Sequence, residues 1–195
     1  MRKGAVAALA ALTLLLAGCG DGPGASAPAA SQASSAVVVD AENKLVWLRC
    51  AVGQNWQGGR CAGEAQMLSR TDAHARVEQL NAERHQGIDQ WRLPTIVELA
   101  ALRKCDHGLV EDTFTLTLMA EQEPVVIRRW CEKETTIPTI DAERFPDTPP
   151  VKFWSHSGSE QHQVAYAVDF GNAWIGINED ADTPYAVRPV ADRLR

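Results

Sequence analysis

Hydrophobic and polar positions change rhythm several times along this chain, and each change predicts an element. Residues 4–17, GAVAALAALTLLLA, are apolar almost without interruption. Residues 20–36, GDGPGASAPAASQASSA, hold small and polar residues with no period. Such a stretch has little to bury and predicts a flexible tether. VVVD (37–40) and KLVWLR (44–49) are β-rich runs separated by Ala41, Glu42 and Asn43, the pattern of a hairpin. In DAHARVEQLNAER (72–84), Ala73, Val77 and Leu80 recur at helical spacing, with Thr71 or Asp72 as cap and Gly87 just beyond the end. A second helix, roughly 96–104, follows Pro94. Ile96, Leu99 and Leu102 form its apolar stripe, and Thr95 with Glu98 forms a capping-box pattern.

From there the period shortens to two. VVIRRW (125–130) and VKFWSHS (151–157) read as extended, with the proline-dense turn ERFPDTPP (143–150) before the second. VAYAVDF (164–170) alternates Val164, Tyr166, Val168 and Phe170 against small or polar residues. Gly171 and Asn172 then turn the chain into AWIGIN (173–178), a second hairpin. YAVRPV (185–190) closes the domain, with Pro189 at a sheet edge or a strand end. Early helices and late short strands predict an α+β fold with two short helices and an antiparallel sheet.

At 195 residues, the chain holds one domain once targeting segments are set aside. Arg2 and Lys3 before the apolar run give residues 1–18 the order of a secretory signal peptide, too short for a comfortable membrane span. Leu16-Ala17-Gly18-Cys19 resembles the lipobox of bacterial lipoproteins, in which the cysteine is lipidated and becomes the new N-terminus. The expected organisation is therefore a signal peptide (1–18), a lipidated Cys19 with its tether (19–36) and a folded head (37–195). Asp21 leans the expectation toward the outer membrane. Residues 1–18 carry two cations and no anion, so without them the net charge moves from −6 to −8. That balance argues against nucleic acid and against sulfated polyanions as partners.

Four further cysteines remain, Cys50, Cys61, Cys105 and Cys131, an even number in an exported chain. They predict two disulfides. Of the three possible pairings, nearest neighbours in the chain favour Cys50–Cys61 and Cys105–Cys131. The first staples a ten-residue loop, worth about 2–3 kcal/mol. No CxxC spacing or neighbouring histidine pair supports a metal site, and no cofactor motif is present.

Several constellations invite chemistry, and each has a plainer reading. Ser155, His156 and Ser157 are adjacent on a predicted strand, so their side chains alternate between faces, and no GxSxG elbow occurs. Trp154 is expected to pack inward there, with its polar neighbours facing solvent. His74 and His85 lie about three helical turns apart, too far to share one metal, and suit a solvated helix face. NEDAD (178–182) supplies oxygen ligands but lacks EF-hand spacing, so it reads as an acidic turn. In WRLPT (91–95), Pro94 holds Leu93 extended and Thr95 starts the helix, which makes the motif a structural corner with Trp91 as a core anchor.

LVWLRCAVGQNWQGGRCAG (45–63), WRLPTIVELAAL (91–102), FP with a following TPP (145–150), FWSHS (153–157), AYAVDFGNA (165–173) and VRPV (187–190) together resemble the Lcl C-terminal domain family. The likeness spans about residues 37–192, with WRLPT-x-x-EL and the WS before the final hairpin as its most specific parts. It implies a compact fold similar to C-type lectins and formylglycine-generating enzymes, with a twisted antiparallel sheet. The leading functional expectation is a lipid-anchored, non-catalytic binding module for a glycan or an envelope protein, adhesin-like by resemblance. Trp154, Asn172, Trp174 and Asn178 are its candidate ligand surface. A structural or assembly lipoprotein of an envelope complex is the alternative. An enzyme of the formylglycine-generating type is a second alternative, and it needs a reactive thiol that disulfide pairing would consume. The lectin-like glutamate-proline-asparagine and tryptophan-asparagine-aspartate calcium signatures are missing, and QEP (122–124) is too short to replace them.

Overall fold

The computed structural model describes residues 35–116, 125–128, 130–159, 164–177 and 179–193. The lipobox with Cys19, nearly all of the tether, the QEP tripeptide and Asn178 lie outside the described residues. Among the described residues no helix is long and apolar enough to cross a membrane.

The first hairpin forms as its pattern predicts. Strands β1 (Val37–Asp40) and β2 (Leu45–Leu48) pair antiparallel, with Asp40 opposite Leu45. Asp40 closes the turn by accepting bonds from the backbone and side-chain nitrogens of Asn43. The last strand, β10 (Val190–Asp192), pairs with the other edge of β2, so both ends of the head meet in one sheet of order β1-β2-β10. Pro189 sits just before that edge strand, where its missing donor costs nothing.

A second small hairpin joins β3 (Asn55–Gln57) to β4 (Arg60–Ala62) through Gly58 and Gly59, both at positive φ. Cys50–Cys61 pins it to the end of β2. Helix α1 runs Arg70–Ala82, two residues earlier than its apolar spacing suggests. Its cap is Ser69, whose Oγ accepts from Asp72 N at 3.1 Å, and not Thr71 or Asp72. Ala73, Val77 and Leu80 face the core as expected. Helix α2 runs Ile96–Ala101, shorter than the 96–104 expectation, and begins with the anticipated capping box of Thr95 and Glu98. Leu102 ends it, and the chain then turns away through Arg103 to Cys105.

Strands β5 (Thr113–Leu116) and β6 (Val125–Arg128) form a third hairpin. Only β6 was legible from periodicity. Cys105–Cys131 closes this region with Cα atoms 5.6 Å apart. Strands β7 (Lys152–Ser159), β8 (Val164–Asp169) and β9 (Ile175–Gly176) make a sheet of order β7-β8-β9. The fold is thus α+β, with the antiparallel strands of the described residues shared among four small sheets.

The β7–β8 pair divides the core. Phe153, Tyr166, Val168 and Phe170 join one apolar cluster with Trp47, Ile96, Leu99 and Phe145. Trp154, Ala165 and Ala167 join a second, with Leu80, Trp91, Leu93 and Val187. The alternation of large with small residues along β8 does not divide core from solvent. Its small residues are small because Trp154 and Trp91 fill the space on that side, so both faces are buried.

Trp154 itself is fully buried, donates Nε1–H to Leu68 O at 2.9 Å and packs against Tyr185. It is therefore core and belongs to no ligand surface. Its serine neighbours also depart from the solvent-facing expectation. Ser155 and Ser157 share the buried face of Phe153 and are themselves buried, and the register of β7 on β8 shifts between Trp154 and Gly158. Ser155 Oγ donates to Tyr166 O, and Ser157 Oγ accepts from Ile96 N at the start of α2. His156 is exposed, its ring meeting that of His74 edge-on.

Buried arginines brace this core from within. Arg188, fully buried, donates to the carbonyls of Leu48 and Arg49 and to Thr148 Oγ1, with its guanidinium over Phe145 and Phe153. Desolvation, then the nearby Arg49 charge, pulls its pKa down to about 9. Arg49 donates to the carbonyls of Ser35, Val37 and Arg144, which fastens the entry of the head.

Candidate functional site: an aromatic cleft beside the second disulfide

The site begins at the exit of α2. Arg103 donates from Nε to Ala100 O at 3.0 Å, from Nη1 to Ala173 O at 2.7 Å and from Nη2 to Arg128 O at 2.9 Å. Ala173 precedes Trp174, and Arg128 ends β6 two residues before Trp130. One guanidinium therefore ties together the two segments that carry these tryptophans. Desolvation lowers the Arg103 pKa to about 10, so it remains charged at neutral pH.

Two residues further on, Cys105 bonds to Cys131, directly after Trp130. Asp106 completes the brace. Its carboxylate accepts from Thr136 N and Oγ1, and its own N–H donates to Thr135 Oγ1. Those bonds, the Thr136 backbone first, hold its pKa below the ordinary carboxylate value. On the other wall Asn172 Oδ1 accepts from Trp174 N at 2.9 Å, while Asp169 N donates to Trp174 O. The turn predicted at Gly171-Asn172 is thus an Asx-type turn that presents Trp174.

The result is a stacked indole pair. The rings of Trp130 and Trp174 lie 5.3 Å apart between centroids and 10° from parallel. Trp174 is 45% exposed, and the nearby Ile137 is 59% exposed. A cleft of about 610 Å³ opens beside them, lined also by Cys131, Lys133, Glu134, Thr135, Gly171 and Asn172. Its size is that of a small-molecule site.

Of the four residues expected on a ligand surface, Asn172 and Trp174 line this cleft together, Trp154 is in the core, and Asn178 lies outside the described residues. Trp130 was missed because VVIRRW reads only as a strand. Its position beside a disulfide cysteine was the available signal. The acidic turn has a structural use: Glu179 pairs with Lys152 at 2.7 Å and accepts a bond from the Tyr185 hydroxyl. All four head cysteines are in disulfides, paired as nearest neighbours.

Arg92, at the centre of WRLPT, meets both carboxylate oxygens of Glu98 at 2.8 Å and also reaches Asp192 at 2.8 Å. The motif is the helix-entry corner that its sequence suggested, and Arg92 also ties it to β10.

Fold and cleft together define a disulfide-braced α+β module that carries an open aromatic groove. The family model described as the Lcl C-terminal domain matches residues 36–191, and the chain belongs to that family. No curated protein and no solved structure matches it.

Proposed function

We propose that this protein is a non-catalytic binding module of the bacterial cell envelope, held to a membrane by lipid on Cys19, with the Trp130–Trp174 cleft as its ligand site. The observation that carries the reading is the stacked indole pair. It leaves Trp174 45% exposed, whereas Trp47, Trp91 and Trp154 are buried and Trp56 and Trp130 are partly buried. Keeping such a ring in water forgoes hydrophobic stabilisation, and the pair is held open by Arg103, a disulfide and an Asx turn. Pre-orientation of this kind lowers the ordering cost of binding. With every head cysteine in a disulfide, formylglycine-type chemistry has no thiol to use. The lipobox-like LAGC and the apolar run before it support the anchor.

The test is a binding screen of the lipidated protein against a glycan array and envelope extracts, run beside Trp174→Ala. Loss of the captured ligand with Trp174→Ala supports the reading, and absence of any ligand in both screens overturns it. Cys19→Ala, which removes the lipid acceptor, should move the protein from the membrane pellet to the soluble fraction. Retention in the pellet would end the anchor assignment.

A further inference from the structure

Trp130 covers one face of Trp174, so the exposed part of Trp174 is its outer face and edge. An indole face is electron-rich, and it attracts the weakly positive C–H groups that line one face of a pyranose ring. A sugar stacked there carries its hydroxyls to the rim and needs donors and acceptors around it. The rim supplies them. Asn172 spends Oδ1 on Trp174 N, and its Nδ2 makes no hydrogen bond among the described residues. Lys133 and Glu134, both exposed at the cleft, likewise form no ion pair or hydrogen bond among the described residues. They offer an ammonium donor and a carboxylate acceptor that no intramolecular contact uses.

The charges also select. Lys133 and Glu134 cancel, and the whole chain carries a net charge of −6. An anionic polymer would meet an acidic protein with one compensating lysine, and a cationic ligand would meet that lysine directly. The shape argues against a protein partner, which needs a broad patch of about 800 Å² per side. A concave cleft of about 610 Å³ suits a short chain of rings instead. We infer that the cleft takes an uncharged glycan, one pyranose ring stacked on the outer face of Trp174 and its hydroxyls held by Asn172, Lys133 and Glu134. The inference rests on the binding-module reading and names its ligand class.

The experiment titrates the lipidated protein, in a detergent without a sugar headgroup, with neutral tetrasaccharides of glucose, N-acetylglucosamine, galactose and mannose. A polyuronate tetrasaccharide serves as the charged control. Tryptophan fluorescence and calorimetry are read together. The expected result is binding of at least one neutral tetrasaccharide, weakened about tenfold or more by Trp174→Ala and several-fold by Glu134→Gln, which leaves the stack intact. Stronger binding of the polyuronate than of every neutral sugar overturns the class. Neutral-sugar binding that Trp174→Ala leaves unchanged overturns the site. If no neutral sugar binds but an envelope protein crosslinks in a Trp174-dependent way, the glycan fails while the binding-module reading stands. If nothing Trp174-dependent is found in either arm, both fail.

Discussion

Two regions of this molecule set an arginine beside tryptophan, one from the adjacent position and one from far along the chain, and they hold their rings in different ways. At the WRLPT corner Trp91 is buried, its Nε1–H donates to His85 O, and Asn81 grips its backbone N–H and C=O. The neighbouring Arg92 pairs with two carboxylates. At the cleft the arginine is Arg103, and it holds backbone carbonyls while the indoles stay open. A tryptophan near an arginine therefore marks neither recognition nor scaffold until the partners of both are known. Where the arginine binds acids across elements, it joins a fold; where it binds the carbonyls beside a stacked pair of rings, it sets their spacing.

The sharpest way to break the comparison is Trp91→Ala. It should cost about 3–5 kcal/mol through the cavity left between α1 and the β7–β8 sheet, read as a lower urea midpoint. A change within about 0.5 kcal/mol would remove Trp91 from the core anchors. Arg103→Ala comes next, at about 2 kcal/mol for the loss of its carbonyl bonds. Its distinguishing sign is loss of the stacked-indole signal in near-ultraviolet circular dichroism. An unchanged signal would separate Arg103 from the positioning of the pair.

A smaller effect is expected from pH at the WRLPT joint. Burial raises the Glu98 pKa, but Arg92 and the capping bond from Thr95 outweigh it, and the net value falls below the ordinary 4.5. Folded Glu98 thus binds its proton less readily than unfolded Glu98. Its stabilising contribution is complete above pH 4.5 and fades as pH drops through the depressed folded value. Urea unfolding across that window should show a steeper acid loss for the parent than for Glu98→Gln; equal slopes would refute the linkage. Least of all, Trp174→Ala should shift stability by no more than about 0.5 kcal/mol, as for an exposed residue. A loss as large as that of Trp91→Ala would make Trp174 scaffold and dissolve the contrast.

Much of the scaffold was readable along the chain because its signals are local. The capping box of Thr95 and Glu98, the apolar stripe of α2, the first hairpin and the pinning loop of Cys50–Cys61 each depend on residues a few positions apart. Helix α1 was misplaced by two residues because Ser69, Thr71 and Asp72 are all able to cap, and the choice fell to Ser69. The strand pattern sends Trp154 inward, whereas its aromatic character suggests a ligand surface; the second apolar cluster makes it core. Asn172 and Trp174, picked out as amide and aromatic residues of the late strands and loops, line the cleft; Trp130 was not picked out, since it follows a separate hairpin.

The amino-acid order alone was enough for the α+β class, the family and the corner at WRLPT, while it favoured nearest-neighbour disulfides without choosing among the three pairings. Each follows from short-range spacing and from residue types with few alternatives. The cleft is a different kind of fact. It exists because Arg103 reaches the Ala173 and Arg128 carbonyls from 70 and 25 residues away, and because Cys105 holds Cys131 beside Trp130. No local period encodes which distant carbonyls one guanidinium will meet. Folding decides it, when two clusters close around the β7–β8 sheet and leave one tryptophan pair outside.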